Sequence, residues 1–164
     1  MRTHTILDSP VGELTLVASD GVLSGLYMVA HRRRPSEDLG ARTEAGFEAA
    51  AEQLAEYFAG TRMGFELETA AEGNGFQRRV WQQLAGIPYG ETRSYGELAS
   101  ALGDRALAQA VGSANGRNPL SIIVPCHRVV GADGSLVGYA GGLERKEFLL
   151  QLENPARSTT QPLF

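Results

Sequence analysis

The sequence predicts a mixed α/β protein of the α+β kind: a small antiparallel sheet with a flanking helix, then a mainly helical part that carries a helix-turn-helix. Three observations predict it. The first thirty residues alternate apolar and polar side chains in short stretches, the period of two that turns one face of each strand inward. From Glu44 the apolar residues Phe47, Ala51, Leu54 and Phe58 recur at helical spacing. Beyond residue 73, short helical patterns alternate with sharply marked turns.

In chain order, strands are expected at Thr5–Leu7, Glu13–Ala18 and Val22–Met28, separated by Ser9-Pro10-Val11-Gly12 and by Asp20-Gly21. Arg32-Arg33-Arg34-Pro35 opens an exposed loop with no assigned function. A single amphipathic helix is expected over 44–59, stopped by Gly60. Phe65-Glu66-Leu67-Glu68 reads as a last strand, and Glu72-Gly73-Asn74-Gly75 as a joint. This divides the chain into residues 1–72, 73–153 and a polar surface tail, 154–164.

In the second part, Phe76, Val80, Trp81 and Leu84 share one helical face, which ends at Ile87-Pro88-Tyr89-Gly90. Ser94-Tyr95-Gly96-Glu97 has the spacing of a capping box, in which serine accepts from the N3 amide and glutamate returns the bond. Gly103 closes that helix. Another runs from about Arg105 to Ala114 with Leu107, Ala110, Val111 and Ala114 inward, ending at Asn115-Gly116. Two short helices joined by a glycine-containing turn make a helix-turn-helix pattern.

Composition excludes several classes. With 164 residues, 43% hydrophobic and 21% charged, the chain is neither disordered nor fibrous. Its longest apolar run, Leu26 to Ala30, is far too short to span a membrane, and no basic segment followed by an apolar stretch begins it. A single cysteine supplies neither an internal disulfide nor a thiolate-rich metal centre, which points to a reducing cytoplasm. The net charge of -4 sits in the first part: residues 1–72 hold 6 basic and 12 acidic residues, residues 73–153 hold 8 and 7. Any phosphate contact must therefore come from local arginines of the second part.

That cysteine, Cys126, lies between the apolar, strand-like run Ile122-Ile123-Val124-Pro125 and His127-Arg128. A lone cysteine is most often inert. A histidine and an arginine beside it offer the base and positive surroundings that a nucleophilic thiolate needs. On an extended chain adjacent side chains point apart, which makes His127 a base acting through water. A papain-like thiol hydrolase would have to draw its histidine from His4 or His31, both in unpromising contexts.

Pro125-Cys126-His127-Arg128-Val129-Val130, preceded by Asn118-Pro119 and followed by Gly138-Tyr139-Ala140-Gly141-Gly142-Leu143, closely resembles the O6-alkylguanine-DNA alkyltransferases, whose PCHR element surrounds the acceptor cysteine. The resemblance reaches back through Phe76-Gln77-Arg78-Arg79-Val80-Trp81, Ile87-Pro88-Tyr89-Gly90-Glu91-Thr92 and Ser94-Tyr95-Gly96, and covers residues 74–153. The strand-rich first part is similar to the family's less constant N-terminal domain.

The resemblance implies DNA repair. A damaged guanine of double-stranded DNA is rotated out of the helix into a pocket, and its alkyl group passes irreversibly to Cys126, one per protein. O4-alkylthymine is a secondary lesion. Glu153 orients His127, which takes the Cys126 proton through a water. Tyr95 donates to guanine N3, and Asn118 braces the turn before the cysteine. Tyr139 and the loop Gly138, Ala140 and Gly141 wall the lesion pocket, with Val129 near the base edge. Arg128 fixes structure. On the DNA side stand Ser94, Arg105, Gln109, Ala110 and Ser113, where Ala106, Ala108 and Ala114 also let backbone approach the minor groove. The resemblance implies a cytoplasmic, metal-free monomer without cofactor, with no membrane and no obligate protein partner.

Two residues depart from the family pattern. Gln109 stands where many members have the arginine that fills the gap left by the flipped base, and Ala140 where many have a serine. These departures leave a rival function, a lesion-binding module with weak transfer. A general helix-turn-helix repressor is disfavoured, because the Arg105–Ala114 helix presents few long base-reading side chains.

Overall fold

The computed structural model describes residues 1–28, 39–136, 138–139 and 141–156. Strands β1 (Arg2–Leu7), β2 (Leu14–Ser19) and β3 (Val22–Met28) form an antiparallel meander, with Arg2 opposite Ser19 and Leu7 opposite Leu14. The Asp20-Gly21 turn between β2 and β3 has φ of 51° and 84°, the double positive φ that keeps a two-residue hairpin in step with strand twist. A short β4 (Ala41–Arg42) adds to β1 in parallel, giving the order β3-β2-β1-β4. The sheet is thus not wholly antiparallel: β4 arrives after a long crossover that alternation in the first thirty residues does not register. The tri-arginine, His31 and residues 157–164 of the tail lie outside the described residues.

Helix α1 (Glu48–Phe58) begins four residues later than the periodicity predicts. Gly46 at φ 91° holds the preceding backbone in the left-handed region, so the helix cannot start before it. Its buried residues are Ala50, Leu54 and Tyr57, while Ala51 and Phe58, assigned inward from spacing, are half-buried. Residues 65–68 form no strand. Their backbone is served by a side chain of α1, since Gln53 Nε2 donates to Glu66 O (3.2 Å) and Glu66 N donates to Gln53 Oε1 (2.9 Å). The strand-like contact falls just beyond, where Ala70 N donates to Leu23 O (2.9 Å) along the edge of β3.

Helix α2 (Gly75–Ala85) starts from a capping box of Asn74 and Gln77 and buries Val80, Trp81 and Leu84. The predicted Ser94/Glu97 box is present at the start of α3 (Tyr95–Ala101), directly after β5 (Arg93–Ser94). A 3₁₀ turn, Arg105–Leu107, capped by Asp104, leads into α4 (Ala108–Gly116). Trp81 Nε1 donates to Ala114 O at 2.9 Å in the interior and so pins α2 to α4. β6 (Val129–Val130) pairs in parallel with β5, and α5 (Leu143–Glu153) closes the fold.

One hydrophobic core runs through both parts, from Leu14, Leu16, Leu26 and Leu54 to Val80, Val111, Ile122, Val129 and Leu149. Leu26 N also donates to Pro119 O (2.8 Å), which fastens β3 to the segment leading into Cys126. Among the described residues, no helix is long and apolar enough to cross a membrane.

Candidate active site

Cys126 does not follow a strand. Residues 121–124 form turns, and Ile122 has φ 74° while Ile123 N donates to Ser121 O at 2.8 Å. This is a γ-turn of the strained, positive-φ kind, at a β-branched residue that rarely adopts it. A relaxed γ-turn follows at Pro125 (φ -80°, ψ 66°), where Cys126 N donates to Val124 O at 2.7 Å. Asn118 braces both: its Nδ2 donates to Val124 O (2.9 Å), and its Oδ1 accepts from Leu120 N (3.0 Å). Backbone strain of this kind costs about 1–3 kcal/mol and persists only where neighbours hold it.

Cys126, His127 and Arg128 occupy a 3₁₀ turn, so the extended geometry expected for Cys126 and His127 does not apply. The thiol is 3% exposed, and burial pushes its pKa up while Asn118, Ser121 and the Lys146 ammonium pull the other way. His127 Nε2 bonds Glu153 Oε2 at 2.8 Å, with both side chains fully buried. Burial holds the imidazole below its ordinary value despite that carboxylate. Among the described residues Nδ1 has no hydrogen-bond partner, which leaves it as the ring's acceptor.

Glu153 gathers donors from two elements, the nucleophile turn and α1. Arg128 makes a fork to it, Nε to Oε1 at 2.8 Å and Nη2 to Oε2 at 2.9 Å, while its Nη1 donates to Ile87 O at 2.6 Å. Tyr57 OH donates to Oε2 at 2.6 Å. Burial alone would raise this carboxyl, but the bonds from His127 and Arg128 outweigh it and hold Glu153 well below the usual carboxylate range. The expected structural role of Arg128 fits this fork.

Of the other predicted pocket residues, Tyr95 and Tyr139 lie near the thiol. Tyr95 is half-buried, and burial followed by the nearby Cys126 pushes its phenol up. Its hydroxyl would lie 3.8 Å from a Cβ at Gly138, which puts it beside the Gly138 loop. Tyr139 is buried, and burial followed by the nearby Cys126 pushes its phenol well up, while Ser121 pulls the other way. Gly141 leaves no room for a side chain, because a Cβ there would meet Met28 Sδ at 2.5 Å. Val129 is fully buried in the core. Ala140 lies outside the described residues.

On the helix-turn-helix, Arg105, Gln109 and Ser113 are exposed at four-residue intervals, with Ala106 and Ala110 beside them. Ala110 therefore faces outward, contrary to its assignment to the core stripe. Ala114 is buried and cannot meet DNA, because it lies under the Trp81 bond. Ser94 is buried too, its Oγ accepting from Glu97 N at 3.0 Å, so it serves the cap rather than an open DNA face. His4 contacts the sheet periphery through Gly40 O (3.1 Å), far from thiol chemistry.

Two site residues escape sequence reasoning. Lys146 is fully buried and donates from Nζ to Gly138 O at 3.1 Å. Its spacing of three and four from Leu149 and Leu150 was the available signal. Tyr57 had only its place one turn from Leu54. Among the described residues, no cluster of His, Cys, Asp and Glu could hold a metal ion.

Comparison with known proteins agrees with this geometry along the whole chain. Residues 75–155 match the model of the 6-O-methylguanine DNA methyltransferase DNA-binding domain, and residues 2–71 that of the ribonuclease-like domain of the same family. A methylated-DNA–protein-cysteine methyltransferase of Mycolicibacterium paratuberculosis is 49% identical over 164 residues, covering 100% of this chain and 99% of the relative. The crystal structure of Mycobacterium tuberculosis O6-methylguanine methyltransferase superposes with a TM-score of 0.87 at 46% identity, covering 100% of this chain and 97% of that one. A Mycobacterium tuberculosis structure in complex with DNA gives 0.85 at 49% identity over 93% of each chain. With both parts matched in order and the full length aligned at this identity, the chain belongs to the 6-O-methylguanine DNA methyltransferase family.

Proposed function

We propose that this protein repairs alkylated DNA by moving the alkyl group of O6-alkylguanine, and secondarily of O4-alkylthymine, irreversibly to Cys126. The observation that carries it is the buried Cys126, His127 and Glu153 series, a lone thiol followed by a histidine whose second nitrogen is bonded to an ionised carboxylate. His127 takes the thiol proton at Nδ1 through a water, and Glu153 steadies the imidazolium. Cys126 Sγ attacks the alkyl carbon, the carbon–O6 bond breaks, and its electron pair goes to guanine. Tyr95 donates to N3 as negative charge grows on the leaving base, and the proton removed from sulfur ends on guanine. The products are an S-alkylcysteine and an intact base.

Asn118 holds the nucleophile turn, Tyr139 with Gly138 and Gly141 walls the pocket, and Val129 supports it from the core. Arg105, Gln109, Ala110 and Ser113 face double-stranded DNA, with Gln109 entering the gap left by the flipped base. Residues 1–72 and 73–153 act as two domains of a cytoplasmic monomer without metal or cofactor. The test is intact-protein mass spectrometry after incubation with an O6-methylguanine duplex. One methyl per chain, on Cys126 and absent from Cys126→Ser, is expected. Methylation elsewhere, or many lesions repaired per protein, overturns the reading.

A further inference from the structure

We propose that Tyr57, supplied by the N-terminal part of the chain, is a positioning residue for the Cys126 reaction, setting through Glu153 how strongly His127 holds a proton. Its hydroxyl donates to Glu153 Oε2 at 2.6 Å, the same oxygen that receives His127 Nε2 at 2.8 Å, across 96 residues of sequence. The tyrosine is fully buried, and its ring is held by Phe65 and by edge contact with Phe58 and Tyr89. Tyr57 is therefore fixed at both ends, by aromatic packing and by the carboxylate.

The physical consequence follows from sharing one oxygen. Each donor to Oε2 draws charge from it and weakens its attraction for the others. The phenol thus tempers the carboxylate that stabilises the imidazolium, and also prevents the carboxyl plane from rotating away from His127. The charged and titratable groups around the relay enter this balance: Tyr57 from α1, Tyr89 before β5, Cys126 and Arg128 from the nucleophile turn, Tyr139 from the loop after it, and Lys146 and Glu153 from α5. Burial and the adjoining Glu153 keep the Tyr57 phenol protonated, so it is a permanent donor. Arg128 keeps Glu153 ionised when that donor is removed.

The inference rests on the relay proposed above, and the experiment separates the two. Single-turnover transfer from an O6-methylguanine duplex is followed against pH for the full-length protein, Tyr57→Phe, a protein carrying 3-fluorotyrosine at position 57, and His127→Ala. Without the phenol, His127 holds its proton more tightly. The acid limb of Tyr57→Phe then moves upward by about half a pH unit, lowering the rate there about threefold. Fluorotyrosine is a stronger donor and moves the limb downward, a readout that survives if Tyr57→Phe fails to fold. Limbs unchanged in both, with any effect confined to thermal stability, would make Tyr57 a packing residue and overturn the inference alone. A wild-type rate and limb in His127→Ala would overturn the relay itself, and Tyr57's role with it.

Discussion

Arg105 lies across Gly96: a Cβ built on that glycine would stand 3.2 Å from Arg105 Nη2 and 3.3 Å from its Cζ. The guanidinium thus folds over the start of α3, while Gln109 is the long exposed side chain one turn further along. Arg105→Ala is expected to weaken binding to damaged and undamaged duplex alike and to reduce the salt slope by about one, the signature of one phosphate contact. Affinities across a salt series check this.

Gln109→Arg is expected to speed transfer from duplex DNA more than from the free alkylated base. A guanidinium stacks in the gap left by a flipped base better than a neutral amide does. Rates on the two substrates decide it, and equal acceleration of both would place the effect in the pocket instead.

Asn118→Ala removes both bonds that brace the strained turn and leaves Leu120 N and Val124 O without them. Val124 O keeps its bond from Cys126 N, so the orphaned group is the buried Leu120 N, and a loss of about 1–3 kcal/mol is expected. Urea unfolding gives the stability, and transfer should fall with it because the thiol's backbone is no longer fixed.

Acid should destabilise the protein through two groups acting in the same direction. His127 and Glu153 both have folded pKa values below their ordinary 6.5 and 4.5. Below those ordinary values the unfolded chain takes up protons that the folded chain refuses, so stability present at neutral pH drains as pH falls. Denaturation midpoints should drop first between pH 7 and 6, then more steeply below pH 5. Glu153→Gln should flatten the second fall while costing about 3–5 kcal/mol at pH 7, because it leaves Arg128 buried without its counter-charge.

Lys146→Met keeps the volume of a buried chain but removes the donor to Gly138 O and a cation near the thiol. Transfer is expected to slow about tenfold, roughly 1.4 kcal/mol in the barrier, with DNA affinity unchanged. Single-turnover rates beside binding measurements check this.

What could be read in advance was what short-range hydrogen bonding writes into the chain. Asp20-Gly21 needs two positive φ values, and Ser94 with Glu97 satisfies two helix-end amides, so both features appear as spacing. The order of motifs around Cys126 likewise named its neighbours. Spacing says nothing of the bond between Tyr57 and Glu153, because the partner that makes Tyr57 rather than Phe58 the inward residue comes from the far end of the chain. Nor does it register the turn at Ile122, where an apolar run that reads as a strand is bent by Asn118 and packing. β4 is similarly illegible, two exposed residues placed by where the crossover ends.

The edge of β3 is occupied by the chain itself, through Ala70 N on Leu23 O and Leu26 N on Pro119 O. An open strand edge is adhesive, offering unpaired backbone to any neighbouring molecule. Pro119 stands two residues before the strained turn, so the clasp covering this edge and the mounting of the nucleophile are one piece of backbone. A bulky adduct that levered the turn outward would also lift the clasp, turning a chemical change at one sulfur atom into exposed sticky backbone.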